Sequence, residues 1–320
     1  MLSLFTSYLW FWLTFAVGNY FAMKILKKEI DISESSKEGA RLLSEKKIYQ
    51  SISNPYIVKL HFSFQSKTKI YMILDFMNGG DLFYHILSCR KIKEKRAVRI
   101  ASQVLLALKW LHDEDIIYRD LKPMNVLLDK EDNVKLTDFG LSKLDFQSKP
   151  EVKQSWCGTV QYLAPEIALG HRYDQMVDWW SFGVVIFEML CGRLPFDNKN
   201  KMACMKNIVT KDFKIPKKLS SNAKDLLLKL LNKDPSERLG SNGVEEIMQH
   251  PFFSAVDWDH LTSNDFTELP TKIPKNYQNK CYGHSPKSSV VSEPGSDDDS
   301  KIPNFTFVRG IPIKRFKSVM

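Results

Sequence analysis

Y-R-D-L-K-P-M-N-V-L-L-D-K-E-D-N-V-K-L-T-D-F-G, from Tyr118 to Gly140, is the stretch that decides the fold. It offers a carboxylate able to serve as a base (Asp120), a cation two residues on (Lys122) and an amide five residues on (Asn125). Val126 to Leu128 and Val134 to Leu136 flank Lys130-Glu131-Asp132-Asn133, which predicts a short hairpin. After it comes a second carboxylate, Asp138, followed by Phe139 and Gly140. A lone D-F-G is a common turn, so its weight depends on what accompanies it.

The chain has 320 residues, enough for one large or two ordinary domains. A hydrophobic fraction of 43% and a charged fraction of 26% are those of a globular protein. The formal net charge of +9 reads as dispersed, solvated lysines. No finger, RRM or helix-turn-helix pattern accompanies it, so no nucleic-acid partner is expected. Cys89, Cys157, Cys191, Cys204 and Cys281 are odd in number and lack C-x-x-C spacing, which fits free thiols in a reducing compartment.

Working outward, Tyr20 to Leu26 reads as a buried strand and Ile30 to Gln50 as a helix that Asn54-Pro55 ends. Ile57 to Phe64 and Lys69 to Leu74 read as strands. Asn78-Gly79-Gly80 is a turn, with Asp81 placed to cap the next helix. Apolar residues at helical intervals make Ala97 to His112 a core helix. Met176 to Leu190 and Ser221 to Leu231 are further apolar helices, Ser221 being the expected cap of the second. From Thr262 the composition turns to Ser, Pro, Lys and Asp, the signature of an extended tail.

Phosphoryl transfer asks for in-line positioning and neutralised oxygen charge more than for covalent chemistry. Ala22-Met23-Lys24 places Lys24 on the first strand, where it can grip the α- and β-phosphates. A glutamate on the facing helix should hold that lysine extended: Glu45 is the best placed, with Glu38 and Glu34 as alternatives. Asp138 is expected to hold magnesium and Asn125 a second metal. Asp120 should orient the substrate hydroxyl and accept its proton, and Lys122 should stabilise the transferring group. Ala164-Pro165-Glu166 completes the order, and coincidence then becomes negligible.

With these motifs in hand, the chain resembles the protein-kinase superfamily. Within it, the likeness is to the AGC group of serine/threonine kinases and to the N-terminal kinase domain of the ribosomal-protein kinase (RSK) branch. The stretches that carry it are Y-R-D at Tyr118, L-T-D-F-G-L-S-K at Leu136 to Lys143 and W-C-G-T-V-Q-Y-L-A-P-E at Trp156 to Glu166. D-W-W-S-F-G-V at Asp178 to Val184 and L-D-F-M-N-G-G-D-L-F at Leu74 to Phe83 agree. The resemblance implies an α+β, two-lobed fold, with a small β-rich lobe carrying one helix and a large helical lobe. The expected parts are an unmatched apolar segment at 1–18, a truncated small lobe at 19–77, a large lobe at 78–253 and an AGC-like tail at 254–320.

The same resemblance implies ATP and Mg2+ as cofactors and serine or threonine of proteins as acceptors. It makes Leu74 the gatekeeper, gives Asp75 and Met77 the hinge contacts to adenine, and places Leu127 on the pocket floor. Asp81 would meet the ribose and a basic substrate residue. Thr159 would touch Asp120 and Lys122, Glu166 would pair with Arg238, and Asp178 would brace the catalytic-loop backbone. Arg119, beside the base, invites an anion, and a phosphate on Ser155 would supply one; Ser148 is the weaker alternative. An upstream activating kinase follows from that reading. Met124 stands where most relatives carry glutamate, and Gln161 often is glutamate too, so the preference for basic residues before the target is expected to be relaxed, with Asp81 and Glu188 left to read them.

Two regions depart from the family. A G-x-G-x-x-G loop is expected about twenty residues before the strand lysine, but the segment there holds one glycine, Gly18, and an aromatic apolar run. The expectation is an N-terminus that is truncated or incorrect and a small lobe missing two strands, its aromatics collapsing onto the exposed sheet. A catalytically impaired, kinase-like binding module is the alternative. Cytoplasmic and nuclear residence is expected, with a membrane anchor at residues 1–18 as a further alternative, followed by Lys24, Lys27 and Lys28. In the tail, Ser285-Pro286 and either Asn304-Phe305-Thr306-Phe307 or Arg315-Phe316-Lys317-Ser318 are candidate regulatory motifs.

Overall fold

The structure is a computed structural model that describes residues 9–14, 20–28, 37–66, 68–144, 159–263 and 307–308. It divides into two compact units: Met1–Ser53, Val58–Asn78 and Thr267–Met320 form one, and Asn54–Ile57 with Gly79–Phe266 form the other.

The first unit is built on a sheet. Strands β1 (Leu9–Thr14), β2 (Tyr20–Lys27), β3 (Leu60–Gln65) and β4 (Lys69–Asp75) accompany one helix, α1 (Lys37–Ser51). The order is β1-β2-β4-β3, with a two-residue strand, Phe307–Val308, on the outer edge of β3. β4 is central, and its run Ile70 to Phe76 is buried because β2 and β3 flank it on both sides. One expectation changes here. A strand does precede the lysine strand, since β1 pairs antiparallel with β2 from Leu9 opposite Ile25 to Thr14 opposite Tyr20. The helix expected from Ile30 is described from Lys37, and residues 30–36 lie outside the described residues.

The second unit opens with a small sheet of β5 (Gly80–Asp81), β6 (Val126–Leu128) and β7 (Val134–Leu136), in that order. Its helices are α2 (Leu82–Cys89), α3 (Glu94–Asp113), α4 (Pro165–Ala168), α5 (Met176–Cys191), α6 (Lys201–Thr210), α7 (Ser221–Leu230), α8 (Glu245–Met248) and α9 (Trp258–Ser263). α5 is apolar all round and buried from Met176 to Leu190, as a central helix must be. α3 presents the predicted stripe, with Ala97, Ala101, Val104, Leu105, Leu108 and Leu111 all buried. α5 and α7 meet closely at Gly183, where an added Cβ would lie 2.9 Å from the Cβ of Leu230. Asp81 caps α2 as expected, its Oδ1 accepting from the Tyr84 N–H at 2.7 Å. The cap of α7 is Ser220, one residue before the predicted Ser221, with its Oγ accepting from the Ala223 N–H.

Candidate active site

In the first unit, pairing on both edges fixes β2 and carries Lys24 into the interior. Lys24 Nζ donates to Glu45 Oε1 of α1 at 2.7 Å, and the two side chains are only 1% and 2% exposed. That bond selects Glu45 from the three glutamates considered; Glu34 lies outside the described residues, as does the side chain of Glu38. Leu74 is fully buried on β4, and Met77 is half-buried. The Asp75 carboxylate is held by the Lys59 N–H at 3.1 Å and by His61 Nε2 at 2.7 Å, so its side chain serves the unit's own packing.

In the second unit, the loop from Tyr118 to Asn125 is a clamped turn. Lys122 Nζ bonds to Asp120 Oδ2 at 2.6 Å, and Asn125 Nδ2 donates to both Asp120 O and Asp120 Oδ2 at 2.9 Å. Burial pushes the Asp120 carboxyl above its ordinary range; Lys122 opposes that rise, the charge of Asp138 adds to it, and Asn125 opposes it. A buried, hydrogen-bonded carboxylate aimed by two neighbours is what a base for a hydroxyl needs.

The loop is held from behind. Asp178, wholly buried on α5, accepts from the Tyr118 N–H (2.9 Å), the Arg119 N–H (2.8 Å) and His112 Nε2 (2.8 Å). Those bonds hold Arg119 at φ 64°, a left-handed conformation that a side chain rarely adopts. Arg119 donates Nε to Leu141 O and Nη1 to the Tyr173 hydroxyl. The Tyr118 hydroxyl donates to Thr137 O, and its ring meets Phe139 edge-on at 5.4 Å. Both contacts seat the backbone around Asp138, itself left-handed at φ 65°. Glu166 and Arg238 form a two-pronged pair at 2.8 and 3.0 Å, and Arg238 also donates to Met176 O and Asn232 O.

Asp81 and Leu127 face each other in the β5–β6 register. Thr159 makes no hydrogen bond to Asp120 or Lys122 among the described residues; its carbonyl instead accepts from the Tyr162 N–H. Ser155 and Ser148 lie outside the described residues, as do Ser285, Asn304 to Thr306 and Arg315 to Ser318. Glu188 is not an open reader of basic residues. It is buried, and its Oε2 accepts from the Tyr162 hydroxyl at 2.7 Å. Burial pushes its carboxyl up, opposed by that bond and reinforced by Asp197. Met124, by contrast, is 37% exposed. Nothing in the spacing of the sequence signalled His112, the Tyr118 hydroxyl or Tyr162.

The donor set suits a hard divalent cation. Asn125 Nδ2 is engaged within the loop, so its Oδ1 and the Asp138 carboxylate are the oxygens that would hold such a cation. Among the described residues no cluster of three or more His, Cys, Asp or Glu could cage a metal. Two protein oxygens completed by phosphate and water are what magnesium takes.

A sheet unit holding a buried Lys24–Glu45 pair and a helical unit holding the Asp120–Lys122–Asn125 turn are the parts of the kinase-like fold class. Residues 14–253 match the protein kinase domain family, and the chain belongs to it. It is similar to serine/threonine kinases of the AGC group. A probable serine/threonine-protein kinase of Dictyostelium discoideum is 37% identical over 299 residues, 90% of this chain and 64% of that protein. Protein kinase 2 of the same organism is 45% identical over 244 residues, 75% of this chain and 50% of the relative. Human RAC-beta serine/threonine-protein kinase is 40% identical over 248 residues, 77% and 51%. The chain thus spans between half and two-thirds of the length of these curated relatives.

Proposed function

We infer that the chain transfers the γ-phosphoryl group of ATP to serine or threonine of protein substrates, using magnesium. The cluster of Asp120, Lys122 and Asn125 carries this reading. Asp120 orients the acceptor hydroxyl and takes its proton, favoured for this by a carboxyl that burial makes more basic. Lys122 offsets charge gathering on the transferring group, and Lys24, held by Glu45, grips the nucleotide phosphates. When bound, magnesium neutralises phosphate charge, and Asp138 and Asn125 would hold it. Phosphate on Ser155 activates the chain by pairing with Arg119, supplied by an upstream kinase. Substrates carry basic residues before the target only loosely, which the exposed Met124 and the engaged Glu188 support. The three described cysteines are free, in keeping with a cytoplasmic or nuclear setting. Among the described residues no helix is long and apolar enough to cross a membrane.

Transfer of labelled phosphate from ATP to a peptide mixture, with and without magnesium, tests the reaction. Expected are magnesium-dependent phosphoserine and phosphothreonine, abolished in Asp120→Asn; label that survives the substitution overturns the assignment. Gly18, the one glycine in the segment before β2, favours a second reading: a kinase-like module that binds partners without transferring phosphate. Magnesium-dependent ATP binding with no transfer would select it.

A further inference from the structure

The turn before Asp81 is bracketed by a network that no motif explains. Gly79 is pinned from two sides: its N–H donates to Leu128 O at 2.8 Å, and its carbonyl faces His85 Nε2 at 2.9 Å. Its lack of a side chain is required, because a Cβ there would lie 2.3 Å from Asp129 O. His85 sits one turn into α2, so that the helix reaches back past its own cap to hold the residue two before Asp81. The other ring nitrogen, Nδ1, faces Arg96 Nη2 at 3.2 Å. Arg96, on α3, grips Asp132 in the β6–β7 turn with Nε at 2.8 Å and Nη2 at 2.6 Å. Asp132 is left-handed at φ 63°, and its carbonyl accepts from Gln103 Nε2 at 2.9 Å.

The chemistry of the partners fixes the ring. A carbonyl oxygen only accepts, so Nε2 carries the hydrogen; a guanidinium only donates, so Nδ1 presents its lone pair. His85 thus links a donor to an acceptor, Arg96 on one side and the Gly79 carbonyl on the other. The strand it secures is short. β5 is Gly80 and Asp81 alone, paired with Leu128 and Leu127. Two ladder positions do not fix a register by themselves, and the bonds on Gly79 extend the pairing by one residue.

We propose that His85 is a positioning residue for the nucleotide site: joined to Arg96 and Asp132, it locks the Gly79 carbonyl and so holds Asp81 in register with Leu127. This rests on the reading of Asp81 as the ribose contact and Leu127 as the adenine floor. Gln reproduces both halves of the linkage, an N–H toward Gly79 and an oxygen toward Arg96, whereas Phe reproduces only the ring. Arg96→Lys keeps the charge and loses the fork to Asp132.

Amide hydrogen exchange over residues 77–84 of the full, nucleotide-free chain is the first readout. His85→Phe exchanges Gly79 to Asp81 faster by about fivefold, the effect of one lost hydrogen bond, while His85→Gln stays at the wild-type rate and Arg96→Lys falls between. Steady-state kinetics is the second: His85→Phe raises KM for ATP by about fivefold with kcat unchanged, and His85→Gln restores it. Wild-type exchange in His85→Phe, or a His85→Gln as impaired as the Phe variant, overturns the proposal. If the wild-type chain turns over no ATP, the function proposed above falls, and the exchange result alone decides the role of His85.

Discussion

Asp178→Asn separates the bracing of the catalytic loop from the packing of the large unit. The carboxylate uses both oxygens: Oδ2 accepts from His112 Nε2 and the Tyr118 N–H, and Oδ1 from the Arg119 N–H. Asparagine has one oxygen. Placed on the side with two donors it keeps both, but its amide then faces the Arg119 N–H, donor against donor. The lost bond to a charged group costs about 1.5–3 kcal/mol. Arg119 is held left-handed at φ 64°, and its release returns on the order of 1 kcal/mol. The net loss of about 0.5–2 kcal/mol lowers Tm by about 1–8 °C for a unit of this size. Catalysis should suffer more, because Asp120 follows Arg119 in the chain, and a shift of about 1 Å in a base costs about 100-fold in rate. Scanning calorimetry and initial rates of peptide phosphorylation at saturating Mg-ATP measure the two effects. A variant that loses Tm as expected but keeps kcat within about threefold would refute the claim that Asp178 positions the base.

Three further outcomes are expected. Lys24→Met leaves Glu45 buried without its cation and lowers stability by about 3–5 kcal/mol in urea unfolding, most of which Lys24→Met with Glu45→Leu regains. Asp120 sets the acid limb of kcat/KM, and because burial raises its folded-state pKa, that limb lies above the ordinary aspartate value of about 3.9. The sign for stability is opposite, since protonation of this group favours the fold as pH falls through the raised value; Asn125→Ala removes an opposing hydrogen bond and moves the limb further up. Met124→Glu adds a carboxylate at a position already 37% exposed and, after solvent screening, raises selection for arginine-bearing peptides by about fivefold on a peptide array.

The chemistry was legible in the sequence because it depends on residue types at short range. Asp120, Lys122 and Asn125 share one turn, and the hairpin that separates Asn125 from Asp138 is announced by its polar tip. Lys24 and Glu45, 21 residues apart, could be matched by what phosphate chemistry asks for, whereas Glu166 and Arg238, 72 apart, needed the resemblance. Side chains that act on the backbone left no trace in the pattern. His112 occupies an unremarkable site near the end of α3, yet its Nε2 meets Asp178 66 residues away while its Nδ1 is buried with no hydrogen-bond partner among the described residues. Glu188 misled in the other direction. An acidic residue on an apolar helix suggests an exposed reader of charge, but Tyr162 covers it, and covering is a property of the packed state.

The edge of the small sheet separates two requirements that the sequence reading had joined. Holding Lys24 extended needs a neighbouring strand on each side of β2, and backbone pairing supplies that with any sequence able to lie flat in a ladder. Leu9–Thr14, apolar and aromatic, meets this requirement: Trp10 stands opposite Lys24 on one side and Met72 on the other. Closing over nucleotide phosphates is a different task, because it asks a loop to turn bare amides toward anions, for which glycine is suited and aromatic residues are not. A loss of glycines therefore weakens phosphate contacts without dislodging the lysine. The Lys24–Glu45 bond and the affinity for ATP then become independent observables: disrupting the β1–β2 ladder, for example with Phe11→Pro, should disturb the first, whereas glycines introduced between β1 and β2 should raise the second and leave the ion pair as it is.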